Sequence, residues 1–275
     1  GVGLFIALTG CQSLLETPPS SAALDALLKP VSTSPDCVTL EISHVRVAAS
    51  EAEAVAAIWD RADEMALAAD SRVFLTTNGF RVGVVSGAVP TELAALFVTS
   101  DDDARAAAAN LITDRSANPR VKREMVQIRR HEESPIPASE LQPELHVLLS
   151  DGDSVTGTSF RTAQPVYALR AKAVTGQRVK LELTPELHHG EMRHRYSGGD
   201  QGILLVTPSR EREVFDQLLI EADLAPGDLL VLGGDAQADS SLGHVFHHSG
   251  LDRGDAKLII VRAAQVPPSE ILADN

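Results

Sequence analysis

The chain has 275 residues and a formal net charge of −14, with 38 Asp and Glu against 24 Lys and Arg. That balance argues against nucleic acid as a partner, because phosphates demand concentrated Lys and Arg, and equally against broad electrostatic contact with anionic lipid. A hydrophobic share of 44% is ordinary for a globular core, and there are only two cysteines.

The first elements in chain order are Gly1-Val2-Gly3-Leu4-Phe5-Ile6-Ala7-Leu8-Thr9-Gly10-Cys11. This apolar run of about ten residues is far short of the ~20 that cross a bilayer as a helix, and it fits the apolar core of a signal peptide. Its end, Leu8-Thr9-Gly10-Cys11, resembles the lipobox of bacterial lipoproteins. The resemblance implies cleavage ahead of Cys11 and a diacylglyceryl group on its thiol. It therefore implies a location in the bacterial cell envelope, lipid-anchored outside the cytoplasm. No initiating Met and no basic residue precede the run, so 1–11 reads as the remnant of a signal peptide that has lost its first residues. Residues 12–36 hold Pro18, Pro19, Pro30 and Pro35 among Ser and Thr, with room for a short helix at 21–28, and read as a tether. With Cys11 lipidated, Cys37 is left without a partner. It reads as a small apolar group buried at the start of a strand.

Residues 37–130 read as an α+β domain. Val38-Thr39-Leu40-Glu41-Ile42-Ser43 alternates with the period of a half-buried strand, and the phase slips at His44, which predicts a bulge there. Ser50 and Glu53 form a capping box ahead of Val55, Ile58, Trp59, Ala62, Met65 and Ala69 at helical spacing, predicting one helix over 51–69. Asn78-Gly79 marks a turn into a strand at 80–85. Pro90 opens a helix through Phe97, and Ser100 followed by Asp101, Asp102 and Asp103 opens another through Ile112. Between 120 and 130 a strand carries Arg120, Lys122, Arg123, Arg129 and Arg130, a solvated basic face or a docking patch for an acidic partner.

Pro135, Pro137 and Pro143 make 131–144 a linker. Beyond it, 145–268 reads as a β-rich, sandwich-like domain with one helix, followed by a tail at 269–275. Strands are predicted at 165–174 and 179–187, and buried strands at 203–206, 229–232 and 258–261. Ser209 reads as the cap of a helix to Leu224, with Val214, Leu218 and Ala222 on one face.

Histidines are the candidate metal ligands: His188, His189 and His194 in one group, His244, His247 and His248 in another, with Asp235 and Asp239 near the second. Neighbouring strand residues point to opposite faces, so His188 and His189 do not easily share an ion. No HExxH, paired-cysteine, Gly-x-Ser-x-Gly, Walker or dinucleotide pattern occurs. No cofactor, no metal and no catalytic residue is therefore expected.

Four segments of the second half resemble, in order, the C-terminal domain of bacterial secretins. They are Val179-Lys180-Leu181-Glu182-Leu183-Thr184-Pro185-Glu186-Leu187, Gly227-Asp228-Leu229-Leu230-Val231-Leu232-Gly233-Gly234, Leu242-Gly243-His244-Val245-Phe246 and Lys257-Leu258-Ile259-Ile260-Val261. The resemblance implies a β-rich domain that associates with copies of itself or with an envelope protein. The family's long membrane hairpins have no room between Leu187 and Ile203, so no pore is implied. The leading expectation is a non-enzymatic structural or assembly module of the envelope. The alternatives are a ligand-binding envelope lipoprotein and a metal-dependent hydrolase using the histidine groups.

Overall fold

The computed structural model describes residues 37–87, 89–97, 120–129, 132–174, 177–198 and 204–266. The lipobox with Cys11, the tether, the helix expected at 100–112 and the tail at 269–275 lie outside them. Along the chain run β1 (Cys37–Val47), α1 (Ala52–Trp59), α2 (Ala69–Thr77), β2 (Phe80–Val85), α3 (91–97), β3 (Val121–Arg129), β4 (Ser134–Pro137), β5 (Gln142–Ser150), β6 (Val155–Val174), β7 (Arg178–Gly198), β8 (Leu204–Val214), β9 (Ile220–Leu224), β10 (Leu229–Gly234), α4 (Leu242–His248) and β11 (Ala256–Gln265). The fold is mixed α+β, mostly strand, with its first helices early in the chain, as the alternation and capping signals predict.

Two antiparallel sheets result. One runs β2-β10-β11-β1-β3; the other runs β4-β6-β7-β8, with β5 also on β6 and β9 also on β7. The first sheet takes β1, β2 and β3 from before the proline-rich 131–144 stretch and β10 and β11 from after it, and β4 lies within that stretch. Its two faces bury different sets. Leu230 and Leu232, Ile259 and Val261, and Leu40 and Ile42 face the second sheet, packing with Leu181, Leu183 and Tyr167. Leu229 and Val231, Leu258 and Ile260, and Val45 and Val47 pack under Ile58 and Trp59 of α1 and Leu93 and Leu96 of α3. Burial on both faces is why β10 and β11 read as unbroken apolar runs. The Cys37 thiol is buried at the first residue of β1.

Three local expectations are corrected. The helix expected over 51–69 stops at Trp59, and Asp63 then pairs with Val84 in an isolated bridge. There the Asp63 carboxylate accepts the Met65 N–H over 2.8 Å, so Met65, expected on the buried face, stands 73% exposed. The helix expected over 209–224 is instead the end of β8, a short 3-10 turn at Asp216–Leu218, and β9. Both strands pair with β7, Glu186 opposite Val214 and Leu183 opposite Ile220, and those ladders override a coincidental helical spacing. Among the described residues the one α-helix of the second half is α4. Finally, β1 pairs without a break through His44, and its irregularity falls at Thr39/Leu40.

Among the described residues no helix is long and apolar enough to cross a membrane.

Candidate functional site

On the face of β1 turned to the second sheet, the buried series Val38, Leu40, Ile42 is followed by His44 and Arg46. Alternate strand residues share a face, so the apolar core gives way to base at one end of the sandwich. Register sets His44 opposite Lys122 on β3 and Arg46 opposite Lys257 on β11. The Arg46 N–H donates to the Arg120 carbonyl over 2.8 Å. Directly opposed residues lie on the same side of a sheet, so strand pairing alone gathers these basic side chains. Pro137 at the end of β4, Ser139 and Glu140 just after it, Gln164 on β6 and residues 249–251 after α4 form the facing walls. The pocket has a volume of about 320 Å³.

Within a chain of net charge −14 this lining is strongly basic, with Glu140 its one acid among the described residues. Arg120 is tied to Glu51, whose carboxyl that guanidinium holds below the usual carboxylate range. Glu124 stands 3.6 Å from His44 and 3.7 Å from Lys122. Burial lowers the His44 imidazole below its ordinary 6.5, and Glu124 opposes this only in part. Burial also lowers the Lys257 ammonium, which donates to the Ala138 carbonyl over 2.8 Å. The Arg46 guanidinium is exposed and has no ion-pair partner among the described residues.

The walls hold unused hydrogen-bonding capacity. Buried side-chain atoms without a partner among the described residues are Thr39 Oγ1, Arg120 Nε, Ser139 Oγ and His244 Nδ1. Arg120 and Ser139 both line this pocket, and Ser139 is only 4% exposed. Buried polar groups are nearly always paired, since an orphan costs about 1–3 kcal/mol.

Behind the pocket, α4 wedges between the sheets. Gly243 packs where a side chain would stand 2.2 Å from the Gly79 backbone, so only glycine fits. The Gly243 N–H donates to the Asn78 carbonyl over 2.8 Å. Phe246 packs edge-on against Phe80 and Tyr167, with centroids 5.3 and 4.9 Å away. His247 Nδ1 lies 2.8 Å from the Lys257 carbonyl and Nε2 lies 2.8 Å from the Tyr167 hydroxyl. A carbonyl only accepts, so Nδ1 carries the proton and Nε2 accepts the phenol O–H. Burial drives the His247 imidazole down to about 3 and the Tyr167 phenol well above 10. Both stay neutral, and together they join β6, α4 and β11.

The structure separates the candidate metal ligands. His188 bonds Glu186 over 2.8 Å, while His189 turns to Phe160 with ring centroids 5.0 Å apart. His194 pairs through its backbone with Pro208 on β8, and its side chain lies outside what is described. His244 and His248 stack at 4.7 Å, and His248 Nδ1 is given to the Asp255 carbonyl at 2.9 Å. His244 Nε2 lies 3.9 Å from Asp239, and Asp235 accepts the Gln237 N–H. Among the described residues no three His, Cys, Asp or Glu converge as a metal site. Near His188 a wider groove of about 660 Å³ carries Glu133 and Glu186. There Arg212 stands 3.1 and 3.5 Å from those carboxylates, Arg170 adds a pair at 2.8 Å, and Arg210 donates to the Gly190 carbonyl, so both carboxylates and the arginines are already engaged.

No protein-family model matches the chain, and no curated protein or solved structure is significantly similar to it. Of the pocket residues, Arg120 and Lys122 stand out in the sequence as part of the basic strand. His44, Arg46, Ser139 and Lys257 do not, since their nearness depends on pairings across more than 200 residues, such as Arg46 with Lys257.

Proposed function

We propose that this is the body of a bacterial cell-envelope lipoprotein, anchored through Cys11, and that it serves as a non-enzymatic binding module for a small ligand. The single observation that carries the binding role is the recessed pocket at the end of the sandwich, whose wall keeps Ser139 Oγ and Arg120 Nε buried and unpartnered. A volume near 320 Å³ lies in the range of small-molecule sites. The anchor rests on the lipobox-like Leu8-Thr9-Gly10-Cys11.

Mass spectrometry of the protein from membranes tests the anchor. The expected result is a mature chain beginning at an acylated Cys11 and release to the soluble fraction on Cys11→Ser. An unmodified thiol with residues 1–10 still attached sinks it. For the binding role, screening small ligands by thermal shift is expected to give stabilisation that Ser139→Ala weakens. Stabilisation indifferent to every pocket substitution counts against the role.

A second reading, an assembly module that associates with copies of itself or with an envelope protein, is favoured by one separate feature. Beyond His189, β7 pairs only with β8, and β8 is the last strand of its sheet among the described residues. A strand edge with free N–H and C=O groups is a template for another chain. Light scattering at high concentration decides it: a strict monomer removes self-association.

A further inference from the structure

We infer that the pocket holds the phosphate group of an organic phosphate ester. The inference rests on the binding reading above and adds to it the class of ligand.

The argument starts from charge. Arg120 is already neutralised by Glu51. Lys122 shares Glu124 with His44, at 3.7 and 3.6 Å, which leaves Arg46 and Lys257 set against Glu140 in the lining. The remaining excess of positive charge favours an anion, and the choice of phosphate over a carboxylate rests on the number of hydrogen-bond donors at hand rather than on charge. The cations are not gathered by chance on a loose surface. Two adjacent ladders of β1 hold them in register, with Arg46 opposite Lys257 and His44 opposite Lys122.

Hydrogen bonding points the same way. An unpartnered donor buried in a wall facing several cations is suited to an acceptor-only ligand. Ser139 Oγ and Arg120 Nε are such donors. Ser139 is held in place from behind, since its carbonyl accepts from Gln164 Nε2 over 3.2 Å and the preceding Ala138 carbonyl accepts from Lys257 Nζ. An oxyanion offers several acceptor oxygens at once, and charge-assisted bonds of this kind are about twice as strong as neutral ones. At about 320 Å³ the pocket is larger than an inorganic phosphate needs, which leaves space for the organic remainder beside Pro137 and Leu251.

The test uses the full chain carrying Cys11→Ser, so that no acyl group is present. Inorganic phosphate, acetate and glucose are titrated in turn by calorimetry at constant ionic strength. Phosphate is expected to bind one per chain and more tightly than acetate. Arg46→Gln with Lys122→Gln, both at exposed positions, is expected to weaken phosphate by about tenfold or more. Ser139→Ala is expected to weaken it severalfold. Lys172→Gln, on the other sheet, leaves it unchanged. Vesicles of phosphatidic acid separate the two sources of such a group. A free phosphate ester as ligand leaves them uncaptured, whereas capture abolished by the Arg46/Lys122 pair places the same phosphate on a lipid headgroup; both results support the assignment. Acetate binding as tightly as phosphate overturns it, as does phosphate binding that survives the double substitution, or no phosphate binding at all. Saturable glucose binding without phosphate binding also overturns it, while the binding module itself stands.

Discussion

Around α4, Tyr167, His247 and the Lys257 carbonyl satisfy one another, whereas in the pocket reached by the Lys257 side chain Ser139 and Arg120 keep buried polar atoms without partners. Both clusters are polar, both are buried and they share one residue of β11. The first has every donor matched with an acceptor and sits among Phe80, Phe246 and the facing sheets, where it can only hold the structure together. The second leaves Ser139 Oγ and Arg120 Nε unpaired in the free protein, the feature on which the proposed binding role rests. If the contrast is real, substitutions in the first cluster lower stability and substitutions in the second leave it alone.

The largest expected effect comes from acid. Because the His247 imidazole is held near 3 in the fold against about 6.5 when unfolded, the unfolded chain binds the extra proton first as pH falls. Stability from this group is therefore complete above about 6.5 and is lost progressively towards 3, by roughly 5 kcal/mol at the limit. Denaturant melts across that window, compared with the same series on His247→Leu, isolate the contribution: the variant is expected to show a shallower acid slope. Equal slopes break the argument that His247 is buried neutral.

Next is Gly243→Ala. A methyl group there would stand 2.2 Å from the Gly79 backbone and 2.5 Å from Phe80 N, neither of which is a flexible side-chain end. A cost of about 4 kcal/mol or more is expected, in the range reserved for backbone and core collisions, read as loss of cooperative melting or a large drop in midpoint. Somewhat smaller, at about 3 kcal/mol at neutral pH, is His247→Leu itself, which leaves the Tyr167 hydroxyl and the Lys257 carbonyl unpaired inside the core. A neutral outcome would mean that the relay carries no structural load.

The same contrast explains what the sequence makes legible. Strands with one buried face declare themselves by alternation, and β1 and β7 lie where Val38 to Ser43 and Val179 to Leu187 place them. Buried runs such as Leu229 to Leu232 were equally open to reading, because burial on both faces needs only apolar residues. The segment at 209–224 misleads because Val214, Leu218 and Ala222 happen to fall at helical spacing, although Ile220-Glu221-Ala222-Asp223-Leu224 also alternates, and the structure follows that alternation with buried-exposed-buried order. The break after Trp59 had a local signal in Asp63, a residue that competes for backbone N–H groups and favours turns. The pocket had no comparable signal. Its residues come from strand ends and loops far apart in the chain, and neither periodicity nor local spacing records that Arg46 faces Lys257 or that Ser139 lies across from both.

Ser139→Ala is the smallest expected effect and the sharpest. Ser139 is 4% exposed and its buried hydroxyl makes no hydrogen bond, so deleting it removes no interaction and relieves an unpaired buried dipole. A methyl side chain of nearly the same size fills the space. Stability is therefore expected to change by no more than about 0.5 kcal/mol, with a rise as natural as a fall, since apolar replacement of an unsatisfied polar group is near neutral or stabilising. The Gln164-to-Ser139 carbonyl bond is a backbone contact and persists. A loss of 2 kcal/mol or so, on the scale of a deleted buried hydrogen bond, would show that the hydroxyl is already engaged in the free protein. It would then belong with His247 as part of the scaffold, and the pocket would lose its best-placed open donor.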